Sequence, residues 1–319
     1  MTYYDVFNGD ADGICSLLQL RQVNPVDSVL VTGVKRDIAL LDQVTAGSGD
    51  QVTVLDISME KNLDGLNRLL GNGVQVFYVD HHFAGSVPES RQLTTIINEA
   101  PDICTSLLVN QHLQGACASW AVVGAFGDNL KNSARSLARK SGLSADETRK
   151  LEELGIYINY NGYGSSLEEL HFKPDDLYRI LLPYDHPLSF IHESSKEFAL
   201  LRDGYSNDMD AAWLLQPEYT TESCAVYILP DAPWARRVGG VFGNDLANQS
   251  PDRAHAVVTE KADGHYQVSV RAPLNRKSGA ADLCRQFVTG GGRAAAAGIN
   301  HLPAASLEQF VSKLVEQYL

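Results

Sequence analysis

The sequence places an aspartate and two histidines side by side, directly after a dense apolar run. Residues 74–79 are predicted to form a buried strand, and Asp80-His81-His82 follows it. Charged and polar groups are costly to bury at such a position unless they have partners. A carboxylate and two imidazoles are also good ligands for a divalent metal ion. This stretch is therefore the first candidate for a site that does chemistry.

Further hard metal ligands stand at the ends of other predicted elements. They are Asp10 and Asp12 after the predicted strand 3–7, Asp56 after the predicted strand 51–55, and Asp128 after the predicted helix 116–124. Carboxylates with imidazole suit Mn²⁺, Mg²⁺ or Zn²⁺. Two such ions a few Å apart can clamp a phosphate and lower the pKa of a water molecule between them. A single aspartate after a strand more often caps a helix or forms a turn. Candidate ligands at the ends of four separate elements, taken together, favour a metal centre.

Strand and helix patterns alternate through the first part of the chain, which predicts an α/β fold with a parallel sheet. The predicted strands are 3–7, 28–32, 51–55, 74–79 and 94–97, and the predicted helices are 14–23, 38–43, 63–70, 105–113, 116–124 and 130–154. Ligands of open α/β sheets bind outside the carboxyl ends of the strands. The candidate ligands that follow strands are expected at that edge.

The later part of the chain is less regular and then begins a new pattern. We expect a loop at 159–164, a strand at 224–229, a hairpin of 255–259 with 266–272, and a closing helix at 307–318. A chain of 319 residues favours two domains. We predict a metal-binding catalytic domain at 1–190, a connector at 191–222 and a substrate-binding domain at 223–319.

The amino-acid composition limits the kinds of molecule that the protein is expected to bind. A net charge of -13 argues against binding to long duplex nucleic acid, whereas a small anionic substrate held by a local basic pocket and metal ions is compatible with it. The five cysteines are scattered, which indicates reduced thiols in a cytosolic protein. We find no signal-peptide pattern and no apolar run long enough to span a membrane, so the expected location is cytoplasmic.

A glycine-rich stretch near the C-terminus is the candidate for anion binding. Gly290 to Gly292 precede Arg293 and an alanine-rich segment, so backbone N–H groups could approach an anion closely. Arg271, at the end of the preceding strand, is a further candidate. A tight turn before a packed helix is the alternative interpretation of the glycines.

The order Asp10-Ala11-Asp12-Gly13, Asp56, Asp80-His81-His82, Asp128 resembles the motifs of the DHH phosphoesterase family, to which RecJ-type exonucleases and oligoribonuclease-type phosphodiesterases belong. The glycine-rich stretch with Arg271 before it looks like the companion DHHA1 domain. The resemblance implies a parallel-sheet DHH domain with helices on both faces and a smaller α/β DHHA1 domain across a cleft. It also implies two divalent metal ions, most often Mn²⁺, with Mg²⁺ as the other option.

The resemblance assigns a role to each matching position. Asp10 would bind the first metal and Asp12 the second, Asp56 would bind both, and His81 and Asp128 would complete the ligands of the second. Asp80 and His82 would orient ligands or face the scissile phosphate. The residues that would bind substrate are Gly291, Gly292, Arg293 and Arg271. Two departures stand out. Val6 and Asn8 occupy positions where family members carry a further ligand of the first metal, which places the affinity for that metal in question. Arg293 stands where relatives usually have histidine, and it strengthens phosphate binding but cannot donate a proton at neutral pH.

The leading hypothesis is a metal-dependent phosphodiesterase that hydrolyses short oligonucleotides or small nucleotides, including dinucleotides, with water activated by two metals. A phosphoanhydride hydrolase of the pyrophosphatase or exopolyphosphatase type is the second hypothesis. A non-catalytic nucleotide-binding regulatory protein with a degenerate metal site is the third, motivated by Val6. A processive exonuclease ranks lower because of the acidic balance, and a homodimer is one option for the oligomeric state.

Overall fold

The computed structural model describes all 319 residues and divides into two compact units, Met1–Arg202 and Asp203–Leu319. The division falls inside the predicted connector 191–222. None of the helices combines the length and apolar character needed to cross a membrane.

The first unit contains a parallel five-stranded sheet in the order β2-β1-β3-β4-β5. The strands are β1 (Tyr3–Phe7), β2 (Ser28–Val31), β3 (Gln51–Leu55), β4 (Gln75–Asp80) and β5 (Leu93–Ile97). The helices are α1 (Ala11–Val23), α2 (Leu63–Gly71), α3 (Thr105–His112), α4 (Ala118–Gly127), α5 (Lys131–Lys140), α6 (Ala145–Asn161), α7 (Pro174–Leu181) and α8 (Pro187–Glu193). Helix α9 (Ser195–Trp213) runs across the boundary between the units. The prediction of an α/β fold with a parallel sheet is confirmed.

Both faces of this sheet are buried, because successive side chains of each strand point to opposite faces. Phe7, at the end of β1, joins a core with α1, α3, α4 and α6, whereas the preceding Val6 joins a second core with α2. Tyr78 and Val79 divide in the same way on β4. The predicted helices on both faces of the sheet are therefore present, and each set packs against one face.

The second unit contains a mixed six-stranded sheet in the order β10-β11-β9-β8-β7-β6. Its strands are β6 (Tyr219–Thr220), β7 (Cys224–Leu229), β8 (Ala254–Glu260), β9 (His265–Arg271), β10 (Gly290–Gly292) and β11 (Ala296–Pro303), and its further helices are α10 (Pro233–Gln249), α11 (Ala280–Cys284) and α12 (Leu307–Tyr318). The predicted hairpin is present, since β8 and β9 pair antiparallel with Gly264 at φ 78° in the turn.

Several local expectations were wrong. The helix expected at 130–154 is two helices, because Gly142 adopts φ 77° between α5 and α6. Residues 38–43 form only a short 3-10 turn, Leu41–Gln43. The loop expected at 159–164 is only partly present, because residues 159–161 form the buried end of α6 and residues 162–164 lie outside the helix. Tyr160 is fully buried, with its hydroxyl 2.8 Å from His171 Nε2.

The second unit should lose stability in acid through His255 on β8. Burial lowers the pKa of this imidazole to about 4, with the charge of Arg253 acting in the same direction, from an ordinary value of 6.5. The unfolded chain takes up this proton first, so stability is lost as pH falls from 6.5 to about 4. We expect the free energy of unfolding to decrease between pH 7 and pH 4.5, and we expect His255→Gln to reduce this decrease by about 2 kcal/mol. Urea unfolding at the two pH values measures the difference. His192→Gln, which changes an exposed histidine, is the control and should leave the loss unchanged.

Candidate metal centre

The carboxyl edge of the parallel sheet gathers the predicted ligands at the point where the strand order reverses. β1 lies between β2 and β3. The connection after β1 therefore leads to β2 on one side, whereas the connection after β3 leads to β4 on the other side. Asp10 and Asp12 follow β1, Asp56 follows β3, and the Asp-His-His segment begins at the end of β4. The turn after β1 is tight, since a Cβ on Gly13 would lie 2.2 Å from the Asn8 carbonyl oxygen.

Asp12 is held by the N-terminus of a helix that is distant in sequence. Its Oδ2 accepts a hydrogen bond from the Thr105 amide at 2.8 Å, and its Oδ1 accepts one from the Ser106 amide at 2.8 Å. These amides begin α3, whose first N–H groups lack partners within the helix. The helix terminus thus stabilises the buried negative charge of Asp12 and fixes both oxygens.

His81 is oriented for metal binding. Its Nδ1 lies 2.9 Å from the Ile103 carbonyl oxygen, which can only accept, so Nδ1 carries the proton. Nε2 faces the carboxylates, 3.4 Å from Asp56 Oδ1, 3.8 Å from Asp12 Oδ2 and 3.9 Å from Asp128 Oδ2. A neutral imidazole would then point a lone pair at three acceptor oxygens, an arrangement that is repulsive unless a cation or a proton lies among them.

Asp128 reaches this group from the end of α4. Gly127, just before it, allows α4 to approach α1 closely, because a Cβ there would lie 2.3 Å from Ala11 Cβ. A side chain at Gly127 would push α4 outward and carry Asp128 away from His81. The structure thus brings the predicted helix-end ligand to the same edge as the strand-end ligands.

Asp56 is buried and has a left-handed backbone with φ 60°, which is uncommon for residues other than glycine. Its Oδ1 accepts a hydrogen bond from the Thr105 hydroxyl at 3.2 Å. Burial and the charges of Asp12 and Asp10 raise the pKa of Asp56 well above its ordinary value, against the opposing effect of His82. A carboxylate under such repulsion favours a nearby cation.

Asp80 and His82 form an ion pair beside the ligands. His82 Nδ1 lies 2.7 Å from Asp80 Oδ1. Burial alone would raise the pKa of Asp80, but the charge of His82 outweighs it and lowers the pKa; the same pairing raises the pKa of His82 against its own burial. Asp80 is fully buried, whereas the His82 side chain is 31% exposed, so Asp80 positions a histidine that solvent can reach.

Lys35 was missed by the sequence analysis, although it follows β2 at the same edge of the sheet. Its Nζ contacts Asp10 Oδ2 and lies 3.0 Å from Asn159 Oδ1. Burial alone would lower the pKa of Lys35, but the nearby negative groups, Asp10 foremost, raise it instead. Lys35 in turn lowers the pKa of Asp10, which burial alone would raise. A search of every strand's carboxyl end for charged residues, not only for metal ligands, would have found it.

The donor set fits a divalent cation. Two atoms that share an ion at about 2.1 Å lie about 3.0–3.4 Å apart, close to the shortest separation between His81 and the carboxylates. Ligand atoms of Asp56, His81 and His82 all lie within 4.8 Å of one another. Asp80 Oδ2 is buried without a hydrogen-bond partner, which leaves an acceptor at the edge of the group. Hard oxygen donors with one imidazole suit Mn²⁺ or Mg²⁺.

The predicted substrate-binding residues lie in the second unit. Gly291 and Gly292 belong to β10, which pairs with β11, so the glycine-rich stretch is an edge strand and hairpin, not a loop before a helix. Arg293 is exposed in the turn of that hairpin, where its amide donates to the Ala296 carbonyl oxygen at 2.9 Å. No Cβ clash arises at Gly291, where the surrounding space is open.

Arg271 is engaged within the second unit. Its guanidinium donates to Asn244 Oδ1 at 2.6 Å, Ser269 Oγ at 3.1 Å, and the carbonyl oxygens of Val270 and Gly240 at 3.2 and 3.1 Å. These bonds tie α10 to β9. The ligand-binding roles of both Arg271 and Arg293 stay predictions.

Comparison with known proteins supports the fold through structure alone. A scan of the sequence against models of protein families finds no match, and a search of curated proteins finds none. The exonuclease RecJ bound to manganese matches with a TM-score of 0.63 and 18% identity over 98% of this chain and 89% of that chain. A DHH-domain member of the s1p family of ribosomal proteins matches at 0.66 and 12% identity over 99% of this chain and 86% of that chain.

A third solved structure is similar in length to this chain. The pGpG-specific phosphodiesterase PggH from Vibrio cholerae matches with a TM-score of 0.54 and 12% identity, over 99% of this chain and 98% of that chain. At these identities the similarity shows a common fold. The chain therefore has the fold of the DHH-domain proteins, and the resemblance drawn from its motifs is confirmed at that level.

Asp56→Asn should stabilise the metal-free protein. Asparagine tolerates the left-handed backbone and removes one of the clustered negative charges. Because the folded state raises the pKa of Asp56 from its ordinary 3.8, the carboxyl's stabilising contribution is present below that value and is lost as pH rises through the raised pKa. The gain from Asn should therefore grow from pH 4 towards pH 8, to about 1–2 kcal/mol.

Thermal unfolding with a chelator, over that pH range, measures this gain. Asp64→Asn, an exposed carboxylate on α2, is the control and should show no such trend. The rise in Tm that Mn²⁺ causes in the wild type should disappear in Asp56→Asn. A variant that is less stable without metal at pH 8 would contradict the assignment of Asp56 to a repulsive cluster.

Proposed function

We propose that the chain is a metal-dependent phosphoesterase of the DHH family that hydrolyses phosphodiester bonds in small dinucleotides or short single-stranded oligonucleotides. The observation that carries the proposal is His81, whose Nε2 faces Asp12, Asp56 and Asp128 at 3.4–3.9 Å at the edge of a parallel sheet. Buried carboxylates gathered around an oriented imidazole favour a divalent cation. The shared fold with an exonuclease and a phosphodiesterase supports phosphodiester chemistry.

Asp12, Asp56, His81 and Asp128 would hold a divalent ion. Such an ion neutralises charge on a phosphoryl oxygen and lowers the pKa of water. The protein's own part is then to fix the ligands and to position His82. Asp80 holds His82 through Nδ1, which leaves the rest of a partly exposed ring to contact the substrate phosphate or to protonate the leaving oxygen.

Two observations favour a small substrate. The formal charge of -13 disfavours long nucleic acid. The chain also matches the pGpG-specific phosphodiesterase over 98% of that protein's length. We propose that Arg293, which is exposed in the hairpin turn of the second unit, binds a phosphate group of the substrate, since a guanidinium group suits an anion.

The decisive experiment is a hydrolysis screen of the purified protein with Mn²⁺. The panel contains linear dinucleotides, cyclic dinucleotides, single strands of graded length, pyrophosphate and polyphosphate. We expect mononucleotides from linear dinucleotides and the shortest strands, with rates that fall as length increases. Orthophosphate from pyrophosphate or polyphosphate, with no cleavage of dinucleotides, would instead establish the phosphoanhydride alternative. No hydrolysis of any substrate by metal-loaded protein would refute the enzymatic proposal.

Asp80→Asn separates the positioning of His82 from metal binding. The amide keeps the size of the side chain but loses the charge that orients and supports the imidazole. We expect kcat to fall about 100-fold while Mn²⁺ affinity changes little. Steady-state kinetics and calorimetric titration with Mn²⁺ measure the two quantities. Asp146→Asn, on the exposed start of α6, should match the wild type in both.

A further inference from the structure

The site already contains one fixed cation, the ammonium group of Lys35. Nζ contacts Asp10 Oδ2 and lies 3.0 Å from Asn159 Oδ1, so it bridges the turn after β1 and the end of α6. Both partner side chains are almost completely buried, at 2% exposure each. Two buried oxygens that converge on one positive charge form a built cation position.

The backbone around Lys35 is anchored as well, so the ammonium group is not on a freely moving segment. The Lys35 amide donates to the Gly162 carbonyl oxygen at 2.8 Å, and Asn8 Nδ2 donates to the Lys35 carbonyl oxygen at 3.4 Å. Nζ lies 5.4 Å from the centre of the Tyr163 ring, within the range of a cation–π contact. The Lys35 side chain is only 22% exposed.

The same region is poor in ligands for a metal ion. Val6 is fully buried and apolar, and Asn8 offers a neutral amide where a carboxylate would be a stronger ligand. Of the carboxylates at this edge, Asp10 is the one that Lys35 occupies, whereas His81 faces Asp12, Asp56 and Asp128. The cluster therefore separates into one part served by an ammonium group and one part arranged around an imidazole.

We propose that the Lys35 ammonium takes the place of one metal ion, with one positive charge instead of two, so that the chain binds a single divalent cation at Asp12, Asp56, His81 and Asp128. The inference rests on the proposed function in taking this edge as the metal centre. An ammonium group is a compact point charge with three donors, so it can neutralise Asp10 and attract a phosphate oxygen. It cannot act as a Lewis acid, so the two positive centres have different tasks.

The number of bound ions tests the proposal without any substrate. Wild-type protein is dialysed against excess Mn²⁺, and bound manganese per chain is measured by elemental analysis and by calorimetric titration. We expect one ion per chain and the electron paramagnetic resonance spectrum of an isolated Mn²⁺. Two ions per chain with a spin-coupled spectrum would overturn the proposal. This count is independent of turnover, so an inactive protein with one ion would refute the proposed function but not this inference.

A paired substitution should restore the second ion. Lys35→Met with Asn8→Asp removes the ammonium group, frees the oxygens of Asp10 and Asn159, and supplies a further carboxylate. We expect the manganese content to rise from one to two ions per chain, with spin coupling. A folded double variant that still binds one ion would show that Lys35 is not what excludes the second ion.

Two controls isolate the role of the ammonium group. Asn8→Asp alone, with Lys35 in place, should remain at one ion per chain. Lys150→Met, which removes an ion-paired lysine from the surface of α6, should also remain at one. Circular dichroism establishes that each variant is folded, and if the double variant does not fold, the wild-type count alone decides the question.

Discussion

Mutual repulsion among buried carboxylates is the constraint on which the rest of the first unit depends. Asp10, Asp12, Asp56 and Asp80 are each no more than 2% exposed. Desolvation and like charge both oppose the ionised state of such a group, so each carboxylate needs its own compensation. Asp12 obtains it from a helix terminus, Asp10 from Lys35 and Asp80 from His82. Asp56 is left with the least compensation, and its raised pKa is the electrostatic consequence.

The parallel sheet brings these charged residues together, because they follow its strands in the sequence. Every strand of the first sheet presents its carboxyl end to the same edge, so each polar residue after a strand is delivered to one place. Apolar side chains on both faces of the strands join two buried cores beneath the site. Folding energy from those two cores thus holds together groups that would otherwise separate. Function and stability oppose each other here at the level of single side chains.

The predictable part of this structure is the part set by local pattern. β1 and β3 were predicted with their correct bounds, because apolar runs between turn residues specify buried strands. The aspartates and His81 were predicted as candidates because each follows a patterned element, and the structure places them at one edge of the sheet, while their roles stay predictions. Lys35 and Thr105 were not found, because their roles depend on which strands are neighbours and on where a distant helix begins. The broken helix at Gly142 was also missed, since one glycine decides it.

The bond between Asp12 and the start of α3 also bears on how the protein is made. Its two partners are 93 and 94 residues further along the chain, and Lys35 meets Asn159 across 124 residues. A nascent chain that ends at β4 already contains Asp10, Asp12, Asp56 and Asp80 of the site, but it lacks the partners Thr105, Ser106 and Asn159. Closing such long loops is entropically unfavourable until tertiary contacts reward it. Asp12 can therefore meet its two amide donors only after α3 has been synthesised, and Lys35 can meet Asn159 only after α6 has been synthesised.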